Sequence, residues 1–262
     1  MLGGETPTTM SPPPIAAREI AREERFNEVW NNQLNDVFAD VAPYYDRANT
    51  IASLGLWGRF LRQFMATVEV RPGERVLDVC AGTNAIGIAL LEREPSLEVH
   101  AIDRSAAMQE VGQRSAESRG LRIRSVIADV HTLPFPDDHF DLVTLQFASR
   151  HLRVRTVFAE IRRVLKPGGR FHHCDMLRPA SRVVEQLYYA YLRTCLEFTA
   201  ILFRSGPAAR KCKEYFINAL RMFYSAEELC VVLRELGYVE VRASTVLCGM
   251  LGFHRAVKPP PG

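Results

Sequence analysis

The stretch Arg75-Val-Leu-Asp-Val-Cys-Ala-Gly-Thr-Asn84 decides how this chain is read. An apolar run ends in Asp78, a turn of small residues follows, and a helical pattern opens over 84–93. A second apolar run, Leu97 to Ile102, ends in another acid, Asp103. Strand, turn, helix and strand in this order predict a nucleotide pocket at the carboxyl ends of parallel strands. Small residues in the turn let the backbone approach a ligand, and an acid on the next strand tip can accept from both ribose hydroxyls. The glycine spacing is not that of the dinucleotide fingerprint.

Outward from this unit the alternation continues. Strands are expected at 75–80, 97–102, 123–128, 140–147 and 169–175, and helices at 84–93, 105–119 and 154–165. That rhythm predicts an α/β fold with a doubly wound, mostly parallel sheet. Two closing strands, 238–246 and 250–257, add an antiparallel edge joined across Cys248-Gly249 and bring the sheet to seven. Helix 225–236 is announced by Ser225 with Glu228 three residues on, a capping-box pattern. Ahead of the sheet, 16–49 reads as helical with a break near Pro43, and 57–68 as a further helix. Long patterns over 182–203 and 208–221 are rich in Leu, Tyr and Phe. The expected divisions are a disordered tail 1–15, a helical cap 16–69, a cofactor-binding core 70–179, a helical lid 180–224, and a closing helix and strands 225–258.

Composition narrows the function. A net charge of +3 gives no strong field for nucleic acid, so no nucleic-acid partner is expected. The six cysteines form no C-x-x-C pair, which suits a reducing compartment and gives no metal-site spacing. No apolar run spans a bilayer, and the N-terminus lacks the order of a secretory signal, so a cytoplasmic location is expected.

Three strand-tip acids, Asp78, Asp103 and Asp129, make a stronger signal than any one of them. Asp78 is expected to order the turn or meet a ligand amino group. Gly82 lets backbone come close, and Thr83 is placed to hydrogen-bond the ligand. Asp129 can accept from an adenine amine. In His172-His173-Cys174-Asp175, alternation sends His172 and Cys174 to one face and His173 and Asp175 to the other. That pattern predicts a buried strand with satisfied histidines, with Asp175 at its tip toward the substrate side.

The turn after Asp78 resembles the D-x-G-x-G-x-G loop of class I S-adenosylmethionine-dependent methyltransferases, with Cys80 and Asn84 at the outer glycine positions. Leu133-Pro-Phe-Pro-Asp-Asp-His-Phe-Asp141 and Arg163-Val-Leu-Lys-Pro-Gly-Gly-Arg170 are similar to architectural segments of that class. Four further segments resemble the ubiquinone/menaquinone-biosynthesis C-methyltransferase family. They are Ala42-Pro-Tyr-Tyr-Asp-Arg-Ala-Asn49 with Ser53, Gly55 and Trp57; Thr144-Leu-Gln-Phe-Ala-Ser-Arg-His151; Glu214-Tyr-Phe-Ile-Asn-Ala-Leu-Arg-Met-Phe-Tyr-Ser225; and Cys248-Gly-Met-Leu-Gly-Phe-His-Arg255. The likeness runs from about Asp36 to Lys258, in the family's order.

The resemblance implies methylation of a ring carbon of a polyprenylated quinol, with S-adenosylmethionine as cofactor. It puts Asp78, Ala81, Gly82, Thr83, Asp103, Arg104, Asp129, Val130 and Gln146 at the cofactor. It puts Arg150, His151 and Tyr45 at the acceptor, with His151 in place of the family's Asn, Ala148 in place of Gly and Gln146 in place of a small residue. A neutral-range base such as His151 would help ionise the ring hydroxyl, and Arg150 would steady the phenolate. A lipid-tailed substrate implies transient contact with the inner membrane face, and a homodimer is compatible with the family. Two alternatives stay open: another hydrophobic acceptor, such as a phospholipid amine or an aromatic natural product, and a catalytically silent assembly partner.

Overall fold

The computed structural model describes residues 15–207 and 213–260. Four helices come first: α1 (Ile15–Asn32), α2 (Leu34–Val41), α3 (Tyr45–Ala52) and α4 (Trp57–Thr67). Strand and helix then alternate as β1 (Arg75–Val79), α5 (Ala85–Arg93), β2 (Glu98–Asp103), α6 (Ala106–Glu117), β3 (Arg124–Ile127), β4 (Phe140–Gln146), α7 (Val154–Val164) and β5 (Leu165–Met176). The chain closes with α8 (Arg182–Leu202), α9 (Lys213–Arg221), α10 (Ala226–Glu235), β6 (Val239–Val246) and β7 (Leu251–Val257).

The seven strands lie in the order β3-β2-β1-β4-β5-β7-β6. The first five are parallel, and β7 runs antiparallel between β5 and β6. Strand order reverses between β1 and β4, which opens a crevice above their carboxyl ends. β1 and β4 are almost wholly buried because helices cover both faces. Leu77, Val79, Val143 and Phe171 face a core shared with α7 and α10. Val76, Val99, Leu142 and Cys174 face the other, shared with α4 and α5. The cap packs separately: Phe26, Trp30, Leu34 and Val37 meet Tyr215 and Ala219 of α9.

Several expectations shift in detail. The N-terminal helical run breaks first at Gln33; Pro43 then sits in a 3-10 turn, Ala42–Tyr44, between α2 and α3. The fifth strand starts at Leu165, because Lys166 to Gly169 form an irregularity within it and not a separate turn. Of the expected disordered tail, 1–14 lie outside the described residues, and Ile15 already opens α1. The start of the expected 208–221 helix, residues 208–212, also lies outside them. Ser105 caps α6 and Ser225 with Glu228 forms the capping box of α10. Among the described residues, no helix is long and apolar enough to cross a membrane.

The turn after β1 explains its unusual residues. Cys80, Gly82 and Asn84 all have left-handed backbone, with φ of 55°, 52° and 58°. These are the three glycine positions of the loop motif. A left-handed residue with a side chain costs about 1–2 kcal/mol, less for Asn, which bonds locally. Asn84 is held from another helix instead: its Oδ1 accepts from Gln109 Nε2 at 3.0 Å, and the same nitrogen donates to the Gly82 carbonyl at 3.0 Å. Space for the Asn84 side chain comes from Gly112 on α6. A Cβ there would stand 2.8 Å from Asn84 Cγ and from the Thr83 carbonyl carbon. Gly112→Ala should therefore destabilise the protein by about 1–3 kcal/mol in urea unfolding. Gly58→Ala, whose Cβ would meet only the end of Arg62 at 3.5 Å, should be close to neutral.

Candidate active site

The cofactor loop is braced on every side. Asp78, next to last in β1, has its carboxyl buried, and Oδ1 accepts from Thr144 Oγ1 on β4 at 2.7 Å. Its Oδ2 is buried without a hydrogen-bond partner of good geometry. Burial pushes its pKa up to about 7; the Thr144 hydroxyl opposes this and the nearby Asp103 adds to it. Asp103 accepts from the Gly82 N–H through Oδ2 and the Ser105 N–H through Oδ1, both at 2.8 Å. Asp129 stands half exposed at the rim, paired with His131 Nδ1 at 2.5 Å. Burial works against its charge, but the His131 amide and ring outweigh it and hold the pKa below the ordinary carboxylate value.

These residues line one cleft of about 1160 Å³ including its mouth, together with Ala81, Gly82, Thr83, Arg104, Val130, Gln146 and His151. All nine expected cofactor residues therefore converge. Thr83 and Arg104 are engaged within the protein as well: the Thr83 hydroxyl donates to Asp46 Oδ2 at 3.2 Å, and Arg104 Nη1 donates to the Trp30 carbonyl at 2.9 Å. The cleft suits S-adenosylmethionine on its own chemistry. The buried Asp78 Oδ2 is an unfilled acceptor, the buried Gln146 Nε2 is an unfilled donor, and the left-handed turn leaves the Gly82 backbone in the lining.

A second chamber, about 1810 Å³, adjoins the first. The two share Phe38, Tyr45, Trp57 and Phe147. Trp57 stacks on Phe147 with centroids 4.8 Å apart, and Tyr45 meets Trp57 edge-on. The rest of the second lining is mostly apolar, from Ala48, Leu192, Leu196 and Met250 among others, with Arg150, Asn49, Ser53, Thr199 and Ser205 among its polar members. The Asn49 Nδ2 is buried without a partner.

Arg150 and His151 sit on a 3-10 turn after β4, Ser149–His151. Arg22 from α1 holds that turn: its Nη2 donates to the carbonyls of Ser149 at 3.2 Å and Leu152 at 2.7 Å. The Arg22 guanidinium also lies 4.9 Å from the Trp30 ring centre and 5.1 Å from that of Phe223. Arg150 Nη1 donates to the Phe147 carbonyl at 2.7 Å and to Asp175 Oδ1. The two neighbours thus face different chambers, Arg150 the apolar one and His151 the cofactor cleft. His151 Nδ1 lies 2.6 Å from the Tyr215 hydroxyl, which accepts from Trp30 Nε1 at 2.8 Å. Burial, then Arg150 and Arg22, push the His151 pKa well below its usual value. It is not the neutral-range group that the sequence suggests.

Two expectations about β5 need correction or completion. His172 is not satisfied: both ring nitrogens are buried without partners. Burial first, then Arg255 and Arg170, push its pKa to about 3, so it remains a neutral imidazole in the core. Asp175 does sit at the strand tip, but it lies wholly buried behind Arg150. Sequence reasoning gave no role to Asp46, Arg22 or Ser149. Asp46 follows Tyr45 in a segment whose likeness was plain; Arg22 and Ser149 carry no local signal.

The ubiE/COQ5 methyltransferase family pattern matches residues 26–258. The demethylmenaquinone methyltransferase of Anoxybacillus flavithermus is 33% identical over 87% of this chain and 96% of its own. That of Clavibacter sepedonicus is 35% identical over 87% and 91%. The ubiquinone/menaquinone biosynthesis C-methyltransferase UbiE of Pseudomonas paraeruginosa is 32% identical over 86% and 88%. Among solved structures, the [4+2]-cyclase SpnF has the same fold, with a TM-score of 0.64 at 17% identity, covering 87% of this chain and 96% of its own. A Bacillus halodurans structure described as a putative methyltransferase has a TM-score of 0.57 at 18% identity, covering 76% and 98%. The length of these matches and the converging cleft lead to one conclusion: the chain belongs to the ubiE/COQ5 methyltransferase family and is an S-adenosylmethionine-dependent enzyme.

Proposed function

We propose that this protein methylates a ring carbon of a polyprenylated quinol, of the demethylmenaquinol or benzoquinol type. The observation that carries this reading is the junction of an acid-lined cleft with a large apolar chamber across four aromatic side chains. The relatives named for demethylmenaquinone methylation support the choice of acceptor.

S-adenosylmethionine, when bound, supplies an electrophilic methyl group on sulfonium. Asp103 would take the ribose hydroxyls, Asp129 and Val130 would hold the adenine, and Asp78 with Gln146 would receive the amino-acid end. Ala81, Gly82, Thr83 and Arg104 complete the enclosure. On the other side, the ring lies against the aromatic partition and its tail follows α8. A hydroquinol carbon becomes a strong nucleophile as a ring hydroxyl loses its proton. Arg150 is a fixed cation aimed at the oxygen on which charge develops. The Tyr215 hydroxyl engages His151 Nδ1, which leaves Nε2, without a partner, as the ring atom available to the site. Burial raises the Tyr45 pKa, so its hydroxyl stays protonated and closes over the ring as a donor. The packed aromatics keep water from the reacting carbon.

The acceptor's tail also assigns a surface. Leu187, Phe198 and Ile201 on α8 are exposed, 68%, 55% and 74%, and their spacing puts them along one side of the helix. Leu54 and Leu247, exposed at 77% and 45%, stand at the chamber's lining. This apolar side meets the bilayer surface from which the lipid acceptor enters.

Three outcomes are expected. Purified protein given reduced demethylmenaquinone and methyl-labelled cofactor yields a product heavier by one methyl, and Arg150→Ala lowers kcat by about 100-fold or more. Methylation of phosphatidylethanolamine instead would replace this acceptor. Because Asp78 is protonated below about pH 7, a cationic ligand must displace that proton. Calorimetric affinity for the cofactor should therefore rise as pH increases through 7 and then level off, and Asp78→Asn should flatten that limb. The double variant Leu187→Asp, Ile201→Asp should keep turnover on a detergent-dispersed acceptor and lose co-sedimentation with vesicles of mixed neutral and anionic phospholipid. Unchanged sedimentation would reject the membrane face, and a dimer seen by ultracentrifugation only in the parent would assign that face to a second copy.

A further inference from the structure

Behind Arg150, four side chains form an unbroken buried line. Asp175 Oδ2 lies 2.5 Å from Ser149 Oγ, and Ser149 Oγ lies 2.7 Å from His173 Nε2. His173 Nδ1 is 3.1 Å from His254 Nδ1, and His254 Nε2 is 3.1 Å from the Ala226 carbonyl. The two histidines are register partners across β5 and β7, which fixes their approach. All four side chains are buried to 98% or more. Arg150 joins this line to the acceptor chamber through Asp175.

The hydrogens of this line can be counted. The Ala226 carbonyl can only accept, so His254 carries its hydrogen on Nε2. A neutral His254 then accepts at Nδ1, and His173 carries its hydrogen on Nδ1. His173 Nε2 is left as an acceptor. Ser149 has one hydroxyl hydrogen and an acceptor on each side, the Asp175 carboxylate and His173 Nε2. Four links share three hydrogens, and the shortfall lies at Ser149. Burial pushes the His173 pKa well below its usual value and that of His254 to about 4, so both rings rest neutral. The charged and titratable groups around the line are Arg150, Tyr45 and Tyr188 on the chamber side, Arg22 at the Ser149 carbonyl, Cys80 and Cys174 near Asp175, and Glu227 near His254.

We propose that Asp175 is the positioning residue for Arg150, and that Ser149 and His173 behind it take up one proton as negative charge develops on the acceptor oxygen. This inference rests on the quinol reading above. An ionised oxygen beside Arg150 draws the guanidinium's charge away from Asp175. The line then gains negative character and binds a proton more tightly. That proton completes His173 as an imidazolium with Nε2–H donated to Ser149, whose hydroxyl keeps its bond to Asp175. Every link is then filled. The acceptor's O–H bond breaks and its proton passes to solvent, one proton from solvent joins His173, and the total charge of acceptor and line is unchanged. His254 holds His173 in the required tautomer.

The test uses the full-length protein and two independent readouts. Nitrogen-15 histidine spectra without acceptor should show His254 protonated at Nε2 and His173 at Nδ1, and the Nε2–H tautomer of His173 overturns the proposal outright. The second readout is calorimetry with 2-alkyl-1-naphthol, a ring hydroxyl without the second oxygen of a quinol, in two buffers of different ionisation enthalpy with cofactor product present. The parent should release less than one proton on binding the naphtholate, and His173→Gln, which keeps a hydrogen-bonding side chain, should release close to one. Equal release in both sinks the relay. Failure of the naphthol to bind counts against the quinol acceptor, while the tautomer spectra still decide the relay. In turnover, Asp175→Asn should lower kcat by about 100-fold with little change in KM, and Asp175→Glu should restore part of it. A loss confined to KM would contradict a positioning role.

Discussion

One hydrogen bond marks the place on which the rest of the molecule depends. The Thr144 hydroxyl reaches Asp78 between β1 and β4, the two central strands at which the order of the sheet reverses. Chains leaving these strands go to opposite sides, so the rim above them is open by topology. The bond fills one oxygen of a buried carboxyl and leaves the other without a partner at the floor of the crevice. An uncompensated acceptor in that position is costly in an empty core and useful only with a cationic guest. The left-handed turn, the Asp103 braces on Gly82 and Ser105, and the aromatic partition are all arranged around that floor.

The helical cap does more than cover the sheet. It touches the rim through three separate contacts: Asp46 to Thr83, the Trp30 carbonyl to Arg104, and Arg22 to the turn that carries Arg150 and His151. The cap also supplies Phe38, Tyr45 and Trp57 to the wall between the chambers. Cofactor cleft and acceptor chamber are therefore completed by the same helices, and neither wall can be moved without the other.

What the sequence discloses depends on range. Strand tips are local: an apolar run ending in Asp78 or Asp103 is visible in ten residues, and both acids stand where that reading puts them. The small-residue turn was legible as well, through Gly82 and the loop likeness that puts Cys80 and Asn84 at glycine positions. The room that Asn84 needs was not, because Gly112 lies on another helix. Arg22 and the Ser149 carbonyl are 127 positions apart, and nothing in either neighbourhood signals their meeting. The alternation of His172 and His173 was read correctly as two faces. Their partners depend on which strand lies beside β5, so one imidazole proves bonded and the other bare.

Arg22 has a consequence beyond the contacts it makes. A guanidinium only 1% exposed, held by carbonyls and aromatic faces, is stable only while α1 is docked and the turn is formed. If either lets go, the charge must find water, so detachment of the first helix and melting of the turn form one opening event. The first helix behaves as a latch: its undocking would silence catalysis while leaving the sheet intact.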